Sequence, residues 1–195
     1  MFTSLIKGDE VRYGRQVYLD ALSKKVIDEF ADTPLSEKML IQLNDGSVPI
    51  FPMTARQVVE SYKNNGEFPF ALRLVNDETC IGSCRLADID WQARRAQLFI
   101  GIVNEAYFTP EMLTDVLQTV LQFAYWEANL NRIAVHCVED HVLMQAALEQ
   151  VGFTNEGRFR QEAYRNGRYL DKIIFSILQR EWSKTNTPEI ERWST

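Results

Sequence analysis

The chain has 195 residues, of which 46% are hydrophobic and 25% are charged. This balance is typical of a soluble globular protein, and it excludes a disordered chain and a disulfide-rich miniprotein. Lysine and arginine number 21 and aspartate and glutamate 27, which gives a formal net charge of -6. An acidic chain of this kind is a poor candidate for binding nucleic acid or an anionic membrane.

The cysteine content predicts a reducing compartment. The three cysteines, Cys80, Cys84 and Cys137, form an odd and sparse set. Cys80 and Cys84 lie in a predicted strand about 13 Å apart, too far for a disulfide, so we expect strand packing and no metal site. Residues 1–14 lack a long apolar run, so neither a signal peptide nor a transmembrane helix is expected and the predicted location is cytoplasmic.

The first half of the chain reads as two helices followed by an antiparallel sheet. A strand over 17–22 precedes Ser23, which caps a helix, and an irregular loop over 33–51 precedes Thr54, which caps a second helix. Three strands follow at 70–75, 80–90 and 96–103, joined by turns at 76–77 and 90–95.

The second half contains the strongest helix of the sequence. It begins at Thr109-Pro110-Glu111 and runs to residue 130. One apolar stripe follows its length: Leu113, Val116, Leu117, Val120, Leu121, Ala124 and Tyr125.

The remaining elements complete a mixed sheet. A strand at 133–138 leads to a helix at 142–151 that ends at Gly152. A hairpin over 157–164 and 169–178 turns at Asn166-Gly167. The pattern predicts an α/β fold with a mixed sheet of about seven strands and flanking helices, in a single domain over 1–182 with a polar tail at 183–195.

Several long motifs resemble those of the GNAT superfamily of N-acetyltransferases, in particular its RimJ/RimL branch. They are RRAQLFIGI at 94–102, LQFAYWEANLNRIAV at 121–135 and LEQVGFTNEGRFRQEAYRNGRYLDKIIFSILQREW at 148–182. The resemblance covers about residues 16–182 and implies that the strands at 96–103 and 132–138 splay apart to receive acetyl-CoA. It also implies a primary-amine acceptor, a peptide or a small molecule, and allows a homodimer.

The resemblance places the cofactor-binding positions along one strand, in the long helix that follows, and around the start of the helix at 142–151. The positions so implied are Ile100, Gly101, Ile102, Val103, Thr109, Met112, Leu113, Thr114, His141 and Met144. In family members a glycine-rich loop before the long helix receives the cofactor's pyrophosphate on backbone N–H groups.

That glycine-rich loop is missing from this sequence. Its positions fall on residues 108–113, where Pro110 has no N–H and Glu111 places a carboxylate in the first helical turn. Thr109 and Pro110 form an efficient start for a helix by themselves. We therefore expect a capped helix start instead of an anion receptor.

Further family positions also differ. Gln97 replaces a glutamate that in many relatives acts as a general base or holds a water molecule, and glutamine cannot accept a proton at neutral pH. Phe99 replaces a glycine, His141 replaces an asparagine near the pantetheine, and Met144 replaces a small hydroxyl residue. The tyrosine acid of other families falls on Leu148.

The remaining polar residues each have a structural and a functional interpretation. Gln97, Glu139 and His141 are the candidate catalytic residues, while Glu139 and Asp140 are also typical of solvated loop carboxylates. His136 and Cys137 fit core or strand packing better than catalysis. The hairpin arginines, Arg158, Arg160, Arg165 and Arg168, fit either a solvated hairpin edge or contact with an acidic partner.

Two functions of different classes follow. The first is transfer of an acetyl group from acetyl-CoA to a primary amine of a protein N-terminus or small molecule. The loop at 33–51 and the helix after Thr54 would shape the acceptor pocket, and their acidic residues include Glu37 and Asp45. The second is a catalytically inactive GNAT-like domain that binds a ligand or partner. A donor other than acetyl-CoA, such as a protein-bound pantetheine, is a third alternative.

Overall fold

The computed structural model describes residues 12–22, 25, 26, 28, 68–103, 105–165 and 167–186. One eight-stranded mixed sheet runs through these residues, in the order β1-β2-β3-β4-β5-β6-β8-β7. Its strands are β1 Arg12–Tyr13, β2 Val17–Ala21, β3 Phe68–Leu74, β4 Cys80–Asp90, β5 Arg95–Ile102, β6 Arg132–Val138, β7 Thr154–Arg165 and β8 Arg168–Leu178. The predicted α/β fold is confirmed, and the two-residue strand β1 adds to the seven strands that the sequence indicated.

The sheet is antiparallel from β1 to β5, as predicted. Tight turns produce this arrangement. Asp77 accepts the Thr79 N–H at 3.0 Å between β3 and β4, and Asp90 accepts the Ala93 N–H at 2.9 Å between β4 and β5. Gly82 permits close packing of β4 on β5, because a Cβ there would meet the Gly101 carbonyl oxygen at 2.1 Å.

Helix α1, Pro110–Trp126, packs its predicted stripe into the core of the molecule. It ends four residues earlier than the sequence predicted. The helix stops because Asn129 is in the left-handed region at φ 53° and Arg94 donates to the Asn129 carbonyl at 2.7 Å. Leu130 remains buried, so the apolar pattern continued beyond the last helical turn.

Helix α2, Val142–Val151, ends at Gly152, whose φ of 101° is the left-handed conformation predicted there. Helix α3, Gln179–Asn186, was not predicted. Glu181 accepts the Leu178 N–H at 2.9 Å at its start, and Trp182 is buried and donates to Gln118 at 2.7 Å. Residues 183–186, which the sequence assigned to a polar tail, continue this helix.

Some predicted features lie outside the described residues. They are the loop at 33–51, with Glu37 and Asp45, and the helix after Thr54. Of the helix predicted after Ser23, only residues 25, 26 and 28 are described, and these are helical. No helix in the described ranges is long and apolar enough to cross a membrane.

The cysteines pack as predicted. None of the three forms a disulfide, and Cys84 and Cys137 are buried. Burial raises the pKa of the Cys84 thiol far above its ordinary value, because the thiolate would have to form without solvent.

Candidate functional site

The central feature of the sheet is a cleft between its two parallel strands. β5 and β6 pair over only three positions, and the last pair joins Gln97 to Ala134. Beyond it, β5 continues to Ile102 beside β4, and β6 continues to Val138 beside β8. The two strands therefore separate toward their carboxyl ends, as the resemblance implies, and open the sheet between residues 98–102 and 135–138.

The hydrogen bonds of β5 determine which of its backbone groups face this cleft. The Val103 N–H donates to the Ile81 carbonyl of β4 at 2.8 Å. Because direction alternates along an antiparallel strand, the backbone groups of Gly101 and Val103 point to β4, and those of Ile100 and Ile102 point into the cleft. Ile100 and Ile102 thus present amide groups to which an extended ligand can bind as an added strand.

The side chains of β5 divide between the two faces of the sheet. Leu98, Ile100 and Ile102 are buried in the core with α1. Gln97 and Phe99 alternate to the opposite face, where both are half-buried. The Phe99 ring lies 4.0 Å from the guanidinium carbon of Arg85, so it packs against β4.

The start of α1 satisfies its own hydrogen-bonding groups, as predicted. The Thr109 hydroxyl accepts the Met112 N–H at 3.3 Å, and the Thr109 carbonyl accepts the Leu113 N–H at 2.9 Å. Pro110 is the first helical residue, and Glu111 is exposed in the same turn. This turn does not fit a pyrophosphate, because Pro110 has no N–H, the Met112 and Leu113 amides are already bonded, and Glu111 carries a carboxylate.

Other residues expected at the cofactor are also occupied with internal contacts. Leu113 and Met144 are buried in the core, and so is the side chain of Met112. The Thr114 hydroxyl donates to the Pro110 carbonyl at 2.7 Å and lies 3.5 Å from the Gln150 side-chain oxygen. At the end of the cleft beside the start of α1, therefore, these side chains pack or bond within the protein.

Glu139, Asp140 and His141 lie together at the open mouth of the cleft, just beyond β6. Glu139 is exposed, and its carboxylate accepts the Asp171 N–H of β8 at 3.1 Å. His141 is half-buried at the first position before α2, and its N–H donates to the Val138 carbonyl at 3.0 Å. Its side chain does not cap the helix.

Three of the four hairpin arginines, Arg158, Arg165 and Arg168, form ion pairs at the same mouth. Arg165 and Arg168 both contact Asp140, the latter at 3.7 Å. Arg158 contacts Asp171 at 3.1 Å. These contacts support the structural interpretation of the arginines and of Asp140, since each charge has an opposite charge beside it. They also tie the hairpin to the loop that carries His141.

The candidate catalytic residues do not form one cluster. Gln97 lies level with Ala134 at the closed end of the cleft. Glu139 follows five residues further along, which is about 16 Å on an extended strand. Gln97 therefore lies at the opposite end of the cleft from Glu139 and His141.

The sequence missed two polar residues with long-range contacts. Asp171 accepts the Gln161 N–H at 2.8 Å in addition to its ion pair, and so holds a bulge in β7. Asp115 accepts the N–H groups of Arg15, Gln16 and Val17 at 2.9, 2.8 and 3.0 Å. Neither contact has a local sequence signal.

Neither His136 nor the acidic side chains of the described residues form a further metal or catalytic site. The His136 ring packs edge-on against Phe159, with ring centres 5.9 Å apart. Within the described ranges, no group of three or more His, Cys, Asp and Glu side chains is arranged to hold a metal ion.

The chain is similar to a known protein family and to known proteins. The family described as "Acetyltransferase (GNAT) domain" matches residues 47–174. The Bacillus subtilis protein named "Putative ribosomal N-acetyltransferase YdaF" is 29% identical over 109 residues, which are 56% of this chain and 59% of that protein. The chain therefore matches less than two thirds of that relative's length.

Solved structures show the same fold. The crystal structure of spermidine N-acetyltransferase from Vibrio cholerae in complex with CoA and spermine has a TM-score of 0.69 at 21% identity, covering 86% of this chain and 98% of that one. The acetyltransferase (GNAT family) from Bacillus anthracis has a TM-score of 0.70 at 16% identity, covering 88% and 99%.

Proposed function

The chain belongs to the GNAT family of acetyltransferases, and we propose that it transfers an acetyl group from acetyl-CoA to a primary amine. The observation that carries the proposal is the cleft between β5 and β6, where parallel pairing stops after Gln97 and Ala134. This gap leaves the backbone of Ile100 and Ile102 directed at a space that an extended ligand can enter. Acetyl-CoA supplies an activated thioester carbonyl when bound there.

Backbone groups of β5 carry the binding. The amide groups of Ile100 and Ile102 hold the pantetheine arm, and the N–H groups on the cleft side of the strand polarise the carbonyl under attack. His141, at the mouth, contacts the same arm. The acceptor must reach the cleft as an unprotonated amine, because only its lone pair can attack the carbonyl. As the C–N bond forms, the C–S bond of the thioester breaks, and CoA leaves as a thiolate that takes up a proton from solvent.

Gln97 has a different role from the glutamate that it replaces. It cannot take the proton that the amine loses, but its amide orients a water molecule that carries this proton to solvent. We do not assign the base to Glu139, because its carboxylate already accepts the Asp171 N–H and it lies at the far end of the cleft. The activity therefore depends on the amine's own ionisation.

The family and the names of two similar proteins support the proposed acceptor class. One relative is named as a ribosomal N-acetyltransferase, and one similar structure is a spermidine N-acetyltransferase. A primary amine at a protein N-terminus and a primary amine on a polyamine are both consistent with these names. We propose a primary amine of this kind as acceptor, in the cytoplasm, without nucleic acid or membrane; a homodimer is compatible with the proposal.

Thermal melting with acetyl-CoA tests the binding step. A ligand at a hundred times its dissociation constant stabilises a protein by about 2.7 kcal/mol, which is about 5–11 °C at this chain length. A rise of this size at millimolar acetyl-CoA supports the proposal. An unchanged melting temperature contradicts it.

One specific observation, the capped start of α1, supports a second function. A domain that has lost its pyrophosphate contacts and its glutamate base fits a binding protein as well. This alternative predicts that acetyl-CoA or a partner binds without acetyl transfer to any amine. Thiol release from acetyl-CoA in the presence of spermidine and of a peptide with an unblocked N-terminus separates the two functions.

A further inference from the structure

We propose that this chain recognises its acyl donor through the pantetheine arm and the thioester, and that the pyrophosphate of CoA makes no stabilising contact. The inference rests on the proposed function. It extends the donor class to acyl thioesters of pantetheine that lack the nucleotide, whether small molecules or carried on another protein.

The first line of evidence is the start of α1. Of its first three residues, Pro110 has no N–H and Met112 donates to the Thr109 hydroxyl at 3.3 Å. Glu111 supplies the one remaining amide of this described turn, and it carries a carboxylate in the same residue. An incoming phosphate therefore meets one amide dipole and one full negative charge of its own sign.

The second line of evidence is the packing around this turn. The side chains of Met112 and Leu113 are buried, and the Thr114 hydroxyl is bonded to the Pro110 carbonyl at 2.7 Å. The turn is thus held in its helical form by its cap, by its hydroxyl and by the core. Opening it to receive an anion would break contacts that the described structure already makes.

The third line of evidence is that the pantetheine end of the cleft is unaffected. β5 keeps its full pairing with β4 up to Ile102, and the Val103 N–H is fixed to Ile81 at 2.8 Å. The cleft-facing amides of Ile100 and Ile102 therefore keep their positions. One end of the donor site is present, and the other is replaced by a capped helix.

Binding of three probes to the full chain tests the inference: acetyl-CoA, S-acetylpantetheine and adenosine 3′,5′-bisphosphate. We expect the dissociation constants of the two thioesters to lie within about fivefold of each other, with acetyl-CoA the weaker because only it meets the repulsion from Glu111. The bisphosphate, which lacks the pantetheine arm, should not bind. Raising salt from about 50 to about 500 mM should leave acetyl-CoA binding unchanged or tighten it, because salt screens the repulsion from Glu111.

The variant Glu111→Gln isolates the proposed repulsion. It should tighten acetyl-CoA about fivefold and leave S-acetylpantetheine unchanged. Asp88→Asn is the matched control, because Asp88 is exposed, has a φ of 51° that asparagine also adopts, and lies near the other end of β5. It removes the same charge and should alter neither affinity.

The outcomes separate this inference from the proposed function. Acetyl-CoA binding more than about thirtyfold tighter than S-acetylpantetheine, and weakening with salt, overturns the inference even if acetyl transfer occurs. Absence of binding by either thioester overturns it too. Comparable binding of both thioesters without transfer to any amine supports the inference and contradicts the proposed function.

Discussion

The buried carboxylate of Asp115 provides the sharpest prediction for the scaffold. Its Oδ1 accepts the Arg15 N–H, and its Oδ2 accepts those of Gln16 and Val17, at distances of 2.8 to 3.0 Å. These bonds fix the turn between β1 and β2 onto α1. The variant Asp115→Asn keeps the size of the side chain and removes its charge and one acceptor.

The magnitude follows from the three bonds. An asparagine oxygen in place of Oδ2 keeps two bonds but makes them neutral, which costs about 1 kcal/mol each. The NH₂ group of the asparagine then faces the Arg15 N–H. Because both groups are donors, this third hydrogen bond is lost, which costs about 1 kcal/mol more. We expect Asp115→Asn to lower the free energy of unfolding by about 3 kcal/mol, or about 6–12 °C in melting temperature at this chain length.

Urea unfolding followed by tryptophan fluorescence measures this change. Asp88→Asn makes the same chemical change at an exposed residue, and should stay within about 0.5 kcal/mol of the parent chain. If Asp115→Asn is as stable as Asp88→Asn, the three N–H bonds do not stabilise the turn and the argument is refuted.

Three other changes test separate parts of the account. Gln97→Glu should supply a base in the cleft and raise kcat at neutral pH by about tenfold or more; an unchanged or lower kcat in steady-state assays contradicts the role given to Gln97. Tyr125→Phe removes a buried hydroxyl that donates to the Ile177 carbonyl at 2.9 Å, so urea unfolding should show a loss of about 1–3 kcal/mol, whereas full stability would show that the bond contributes nothing. The Ser176 hydroxyl and Arg132 lower the pKa of Glu156 in the folded protein. Its contribution to the free energy of unfolding is therefore fully present above pH about 4.3 and is lost as the pH falls through the lowered pKa. On acidification, the melting temperature of Glu156→Gln should fall less than that of the parent chain, and equal falls contradict the assignment.

Local patterns were sufficient to predict most of the described elements. Thr109 and Pro110 fix the start of α1 through a cap and a first-turn proline, and both roles are read from adjacent residues. The stripe from Leu113 to Tyr125 predicts the buried face of the helix, because helical spacing repeats within a few residues. Gly152 and Gly167 mark the end of a helix and a turn, respectively, because both adopt a positive φ that glycine accepts readily.

Contacts between distant residues explain what the sequence did not predict. The end of α1 depends on Arg94, which lies 35 positions before its partner Asn129. The carboxylate of Asp115 reaches amides about a hundred positions away, and looks in the sequence like any surface residue of a helix. No window of the sequence contains both partners of such a contact.

The features of the candidate site also fall into those that the sequence could predict and those that depend on contacts between distant residues. The splay of β5 and β6 and the capped start of α1 followed from the resemblance and from adjacent residues. The separation of Gln97 from Glu139 and His141, and the engagement of Glu139 by Asp171, required the strand register and the hairpin. Which candidates lie together is a property of the sheet and not of their spacing in the chain.

Amine-dependent thiol release from acetyl-CoA tests the central claim most directly. Spermidine and a peptide with an unblocked N-terminus serve as acceptors, with mass spectrometry of the amine product. The account predicts release that requires an amine and accelerates as pH rises toward the amine's own pKa, because the described cleft supplies no carboxylate base at Gln97. A chain that binds acetyl-CoA yet shows no amine-dependent release at any pH with either acceptor would contradict it.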